Sequence, residues 1–418
     1  MIISSYKELR QYSGFLIQSA VTLFLFASVL SSCTKEVSTD AKSSVRIIST
    51  INEPKQVKMT ISKGGHLLVY VNSEEVSTPT RQELFVLNPA GEVLDTVFLS
   101  DTMYQFVHAI PAMDGGFFIC ASSNTFSTIT LYHLDESGTI TWWKRFLTTG
   151  GPSINGPYAA IGLDNSYLVM YQATNSGFYI WKGDPAGNEI FNRKIPIPNA
   201  IHHGGQNYNE EYSRLVQVND TLIVIEGFTI DMYSELIDNC FLRTVDENIV
   251  KKQYSQNYDS AFIDKGAALF STSDQHILFF GTKSEKNIQE GFGNAFVRKY
   301  SYSMDYLGET VFPRVNGTPT LIRQAIDIPG GGYLLAGSNN QLPANDLVSN
   351  NHIVLMKINS DLSVGWSREF GTEFPAKGYD IAWLPDGTLA LTGLLKKDYA
   401  KNTILYLHLD SDGNIINN

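Results

Sequence analysis

Apolar and polar residues alternate with a period of two in short runs along this chain, and clusters of glycine, Asp and Asn interrupt the runs. A period of two predicts strands, because successive side chains of a strand point to opposite faces of its sheet. The clearest instance is residues 323–337, RQAIDIPGGGYLLAG, which reads as strand, glycine turn and second strand. Three consecutive glycines supply the positive φ angles that a tight hairpin requires. Residues 353–361 (IVLMKINSD) and 364–370 (VGWSREF) add a third and a fourth strand, so about 55 residues make one antiparallel sheet.

The unit recurs. Equivalent hairpins begin at Val57, Val107, Tyr158, Arg214, Ala267, Arg323 and Tyr379, and their turns step by about 50 to 56 residues. A fixed interval with four strands per copy predicts an all-β, seven-bladed β-propeller over residues 45–418. The third strands end in Asn88, Asp135, Asp184, Asp246, Asp305, Asn359 (or Asp361) and Asp410, with Gly91, Gly138, Gly187, Gly308 and Gly413 three residues further on. Asp and Asn bond their own backbone in such turns, and glycine takes the left-handed position. Residues 410–413 (DSDG) resemble the start of a calcium loop, but no acidic residue follows at the distance such a loop needs. The fourth strands carry Trp142, Phe191, Phe312 and Trp366, which are expected to pack between neighbouring blades. An open ring would leave two unpaired sheet edges. Residues 45–49 (VRIIS) are expected to close it as the outer strand of the seventh blade; the alternative filler is residues 414–416.

Lys and Arg number 31 against 42 Asp and Glu, a formal charge of −11 with no basic block. Phosphate backbones are bound by clustered cations, so nucleic acid is not expected as a partner. The three cysteines are Cys33, Cys120 and Cys240; the last two sit in strand-like runs and are expected to be buried free thiols, not a disulfide framework. Residues 1–32 read as a targeting leader, with Lys7 and Arg10 ahead of an apolar run too short to span a membrane comfortably. Leu30-Ser31-Ser32-Cys33 resembles the lipobox of bacterial lipoproteins, which implies a lipidated Cys33 at the mature N-terminus. Residues 33–44 would then be the anchor and a polar tether. The absence of Asp behind Cys33 fits outer-membrane sorting, and Lys35-Glu36 is a partial match to the surface-export signal of Bacteroidota lipoproteins; surface and periplasmic sides both stay open.

The unequal connections carry what functional signal there is. Those between second and third strands, and between blades, are long at residues 196–212, 228–239, 254–266, 282–294 and 338–352. In a propeller both classes lie on one face, around the channel mouth, and long loops on a rigid scaffold commonly bind. Candidate ligand-binding residues there are His202, His203, Tyr208, Glu210, Tyr212, Asp231, Tyr233, Tyr258, Asp259 and Phe292. Aromatics beside carboxylates suit carbohydrate or peptide recognition; the same residues could instead only build turns and cap the channel. Adjacent His202 and His203 point apart in extended chain and match no metal-ligand spacing, so neither metal nor cofactor is expected. No nucleophile elbow, phosphate loop or sialidase-type box is present, and no catalytic residue is assigned.

The unit as a whole, with DGG, YLLAG, L-x-K-x-D-x-x-G and W-x-x-x-F-G elements, resembles the delta-60-like propeller repeats of secreted and lipid-anchored Bacteroidota proteins. That resemblance implies fold and envelope location and says little about activity. The expected function is a non-enzymatic, membrane-anchored lipoprotein whose loop face binds a glycan, peptide or envelope protein. Alternatives are a scaffold subunit of an outer-membrane complex and, third, a carboxylate-dependent glycoside hydrolase or lyase.

Overall fold

In the computed structural model, the residues described are 45–50, 54, 56–72, 82–99, 106–123, 128–147, 157–173, 177–195, 208–219, 222–231, 237–246, 249–255, 262–285, 292–340, 351–370, 375–398 and 401–416. Their strands form seven four-stranded antiparallel sheets, and the only helical turn among them is Val315–Gly317. The innermost strands, in chain order, are Gln56–Ile61, Phe106–Pro111, Tyr158–Ile161, Tyr208–Gln217, Phe262–Ser271, Thr320–Asp327 and Ala376–Trp383. Each packs against the next, and the seventh packs against the first. The result is a β-propeller, a ring of sheets around a central channel. The blades are numbered here by these inner strands.

Alternation explains the core. One face of each sheet meets the preceding blade and the other face the following one, so middle strands such as Glu83–Leu87 and Thr128–Leu134 are buried on both sides. Buried side chains accordingly fall into seven clusters, one at each interface. Leu68, Val107 and Ile119 belong to the seam between blades 1 and 2, and Val57, Phe85 and Tyr406 to the seam between blades 7 and 1. Val45–Ile48 pairs antiparallel with Lys401–Leu409, Val45 opposite Leu407 and Ile48 opposite Ile404. The N-terminal strand thus closes the last blade, and residues 414–416 contribute only an isolated bridge between Ile415 and Leu409.

Three expectations need correction. First, strands run well into the segments expected as loops: Tyr208–Gln217 pairs with Leu222–Asp231, and Phe262–Ser271 with His276–Glu285. Backbone ladders do not need apolar side chains, so the pairing outlasts the alternation that reveals it. Each of the inner strands of blades 4 to 7 also carries a β-bulge, at Ser213, Ala267, Arg323 and Tyr379, which the inner strands of blades 1 to 3 lack. Second, the turn anchor of blade 5 is Ser301, not Asp305: Ser301 Oγ accepts the Asp305 amide at 3.0 Å. Met304, with φ of 63°, holds the left-handed position. Gly308 therefore sits inside the fourth strand, opposite Lys299, where blades 2, 3 and 6 place Trp142, Phe191 and Trp366. Third, Phe312 is consequently out of that register, although buried.

The aromatic column does pack between blades. A Cβ on Gly187 of blade 3 would lie 2.5 Å from the ring of Trp142 in blade 2, and one on Gly413 of blade 7 would lie 2.6 Å from Trp366 in blade 6. The turn glycines thus serve twice, taking positive φ and admitting a neighbour's ring.

Candidate functional site

The position three residues before the end of each inner hairpin pairing is structurally equivalent in all seven blades. It holds Lys58, His108, Tyr158, Arg214, Ala268, Gln324 and Asp380. The next residue in every blade is buried and apolar: Met59, Ala109, Ala159, Leu215, Leu269, Ala325 and Ile381. One column therefore builds the seams, while its neighbour forms a polar belt on the strands nearest the axis. Lys58, His108, Tyr158, Arg214 and Gln324 are half-buried, and Asp380 is buried.

Electrostatics place these groups together. Burial lowers the Lys58 ammonium pKa; Asp380 opposes that effect, and Arg214 and Arg323 reinforce it. Burial raises the Asp380 carboxyl, against the pull of Lys58, two backbone amides and Arg214. The imidazole of His108 is pushed down to about 3 by burial and then by Lys58 and Arg214. Blade 4, which carries Arg214, is not a neighbour of blades 1, 2 or 7, so a field shared among them requires that these charges meet around the axis. Blade 6 adds Arg323, which lies over the Tyr379 ring of blade 7 with its guanidinium carbon 4.7 Å from the centroid. Both are bulge residues, brought into the inner layer by the extra residue in each strand.

Hydrogen bonds across the seams hold the belt in register. Asp380 Oδ2 accepts the Met59 amide at 2.9 Å, Tyr70 Oη the Ala109 amide at 3.1 Å, and His108 Nδ1 the Ala159 amide at 3.1 Å. Three equivalent amides thus each find an acceptor on the preceding blade. A second set joins the Ile322 amide to Thr282 Oγ1 at 2.8 Å and the Gly378 amide to Ser338 Oγ at 3.1 Å. Because His108 Nδ1 accepts, the neutral ring carries its proton on Nε2. That ring lies 4.0 Å from Tyr158, centroid to centroid.

The residues expected from sequence fare differently. Tyr208, Glu210 and Tyr212 belong to the inner strand of blade 4, and Asp231 ends the strand beside it; none of the four is in a loop. The ladder sets Tyr208 opposite Asp231 at the channel-mouth end of that hairpin. Phe292 is fully buried. His202, His203, Tyr233, Tyr258, Asp259 and Cys33 lie outside the described residues. Cys120 is a buried free thiol whose pKa is raised by burial, and Cys240 lies in the third strand of blade 4.

At the opposite end of the sheets, hairpin aspartates grip basic groups on nearby strands. Asp114 meets His133 at 2.8 Å, Asp164 meets Lys182 at 2.7 Å, and Asp274 meets His276 at 2.8 Å. These pairs tie turns to the third strand or to their own hairpin, and among the described residues no group of three His, Cys, Asp or Glu could hold a metal ion.

No family model matches the sequence. No curated protein is significantly similar to it. Among solved structures, the polysaccharide lyase Uly1 is similar over 87% of this chain and 91% of its own, at 10% identity and a TM-score of 0.52. A protein of unknown function from Dyadobacter fermentans aligns over 88% of this chain and 99% of its own, at 10% identity and a TM-score of 0.46. A luciferin-regenerating enzyme aligns over 71% and 91%, at 10% identity and 0.41. Likeness at this identity is a likeness of fold.

Proposed function

We propose that this protein is a binding protein of the bacterial cell envelope, anchored through acyl chains on Cys33, that takes a saccharide at the mouth of its central channel. The observation that carries the reading is the belt. A column serving only to pack blades would be apolar, as the adjacent column is, yet this one holds polar side chains in six of its seven positions. Tyr158, tilted by 34° against the His108 ring, offers an aromatic surface, and Gln324 and Lys58 offer hydrogen-bonding groups, the mixture that saccharide sites combine. Binding of a glycan panel to the full chain purified in detergent tests this. Saturable binding weakened at least about tenfold by Tyr158→Ala is expected. A panel without binders, with one envelope protein recovered by pull-down, would instead favour the scaffold reading. For the anchor, incorporation of a labelled fatty acid that disappears in Cys33→Ala is the expected result.

One observation favours a second reading. Tyr158, beside the Nε2–H of a neutral His108 and several cations, supplies what β-elimination from a uronate uses: a phenol that can take and return a proton, a ring N–H donor and positive charge for the carboxylate. The lyase Uly1 shares the propeller fold. Appearance of an ultraviolet-absorbing unsaturated product from acidic polysaccharide, abolished by Tyr158→Phe, would make the protein an enzyme. Hydrolysis by paired carboxylates is less well served, since the belt holds a single carboxylate, Asp380.

A further inference from the structure

We infer that the channel is a well with an apolar floor, which takes the terminal residue of a glycan and excludes its internal stretches; this rests on the saccharide-binding reading above. The first observation is the layer beneath the belt. Two residues further along each inner strand, toward the hairpin turn, the side chain returns to the belt's side of the sheet. Those positions hold Ile110, Ala160, Val216, Phe270, Ile326 and Ala382, and in blade 1 the buried Thr60. The first five are half-buried and pack against the seam clusters. The polar groups of the belt thus give way, about 7 Å further along the strands, to aliphatic side chains and one aromatic ring. A hydroxylated ligand finds side-chain partners in the belt and, Thr60 apart, none in the layer below. Giving up water for that layer costs free energy with no hydrogen bond in return, so a sugar stops at the belt.

The second observation is the wall above the belt. In blades 4 and 5 the inner hairpin stays paired for five rungs above Arg214 and Ala268, beginning at Tyr208–Asp231 and Phe262–Glu285. Blades 6 and 7 add three rungs above Gln324 and Asp380. Blades 1 and 2 add two above Lys58 and His108, and in blade 3 Tyr158 is itself the first rung. At about 3.3 Å per residue, the paired backbone rises about 17 Å over the belt on one side of the ring. Across the axis, on blades 1 to 3, it rises about 7 Å or less among the described residues. A residue inside a polysaccharide continues in two directions, and both continuations would have to climb out of this well. Glycosidic chains are stiff over a few residues, so an internal residue cannot reach the belt without a sharp bend. A terminal residue continues in one direction only, and its chain leaves over the low rim of blades 1 to 3.

The test counts proteins per glycan chain. The strongest linear binder of the glycan panel is prepared both as an octasaccharide and as the long polymer, and each is titrated calorimetrically into the full chain in detergent. We expect one protein per chain in both cases, with equal affinity per chain. Gln324→Trp, which fills the channel at the level of the belt, should weaken binding of both forms at least about tenfold, with the unfolding temperature confirming that the variant folds. Several proteins on each long chain, in proportion to its length, would overturn end recognition and leave saccharide binding standing. Unchanged affinity in the folded variant would place the glycan outside the well and overturn the inference as well. A panel without binders would remove both readings. Should the variant not fold, the stoichiometry on the unmodified protein still decides.

Discussion

Asp380 concentrates, in one side chain, the tension between stability and recognition. Its carboxylate is buried, which raises its pKa, and it accepts amides from its own strand and from blade 1. Asp380→Leu leaves two buried donors without their acceptor and removes the counter-charge of Lys58; it is expected to cost about 2–4 kcal/mol in urea unfolding. Asp380→Asn keeps an acceptor oxygen and should cost clearly less; equal losses would mean that the hydrogen bonds are not what the residue contributes. His108 sets a different observable. Its folded pKa, about 3, lies below the ordinary 6.5, so the unfolded chain binds the extra proton. Stability from this group is complete above pH 6.5 and declines as pH falls through 6.5 toward 3. The turn aspartates act lower. The Ser137 hydroxyl and turn amides hold Asp135 below 3.8, and the Thr272 hydroxyl takes Asp274 to about 2, so their contribution is lost only on further acidification. A thermal-unfolding series across pH should therefore fall in two windows, with His108→Gln flattening the upper one alone.

At the scale of the element, the turn glycines are the most exposed weakness. Gly187 has a φ of 73°, and a methyl there would collide with Trp142 of the preceding blade. Gly187→Ala is expected to destabilise by about 1–3 kcal/mol, part from the left-handed backbone and part from the ring. Combining it with Trp142→Ala should recover the second part, so a double-mutant cycle should return a coupling energy; strict additivity would show that the ring does not press on the turn. The same elements explain what was legible in the sequence. Hairpins, turn spacing and the ring closure follow from alternation and turn chemistry, which are local. The Ser301 turn is hidden in the sequence because Ser is a weaker turn signal than the Asp305 nearby, and Met304 fills a position that glycine usually advertises. The candidate site was nearly illegible for another reason. Attention to long connections selects residues by loop length, whereas the belt lies inside strands and emerges only when one column, Lys58 through Asp380, is read down all seven copies. Even then, sequence cannot say that Arg214 and Lys58 face a common axis.

The whole molecule depends on a closed ring, and closure depends on four residues. Val45–Ile48 supplies the outer strand of blade 7, with Ile48 buried and Arg46 packed near the Gly91 turn of blade 1. Among the described residues no other strand pairs with that edge of Lys401–Leu409. Each of the remaining seams joins blades that are consecutive in the chain, whereas the seam between blades 7 and 1 joins the two ends of the propeller. It is held by apolar packing, the Met59–Asp380 bond and the hydrogen bond from Tyr406 Oη to the Pro89 carbonyl. Replacing Ile48 by Lys puts a charge where a buried side chain contributes about 1.5–3 kcal/mol, so it should lower the unfolding temperature and free the strand to detach. Deleting residues 45–48 goes further, exposing a long apolar edge that can pair with another chain. The deletion variant should elute as dimers or larger species in size-exclusion chromatography, while Ile48→Val stays monodisperse and nearly as stable as the parent. Because the belt is completed across that same seam, with Lys58 on one side and Asp380 on the other, ligand affinity should fall with closure. A deletion variant that bound with unchanged affinity would separate the channel from the ring that forms it.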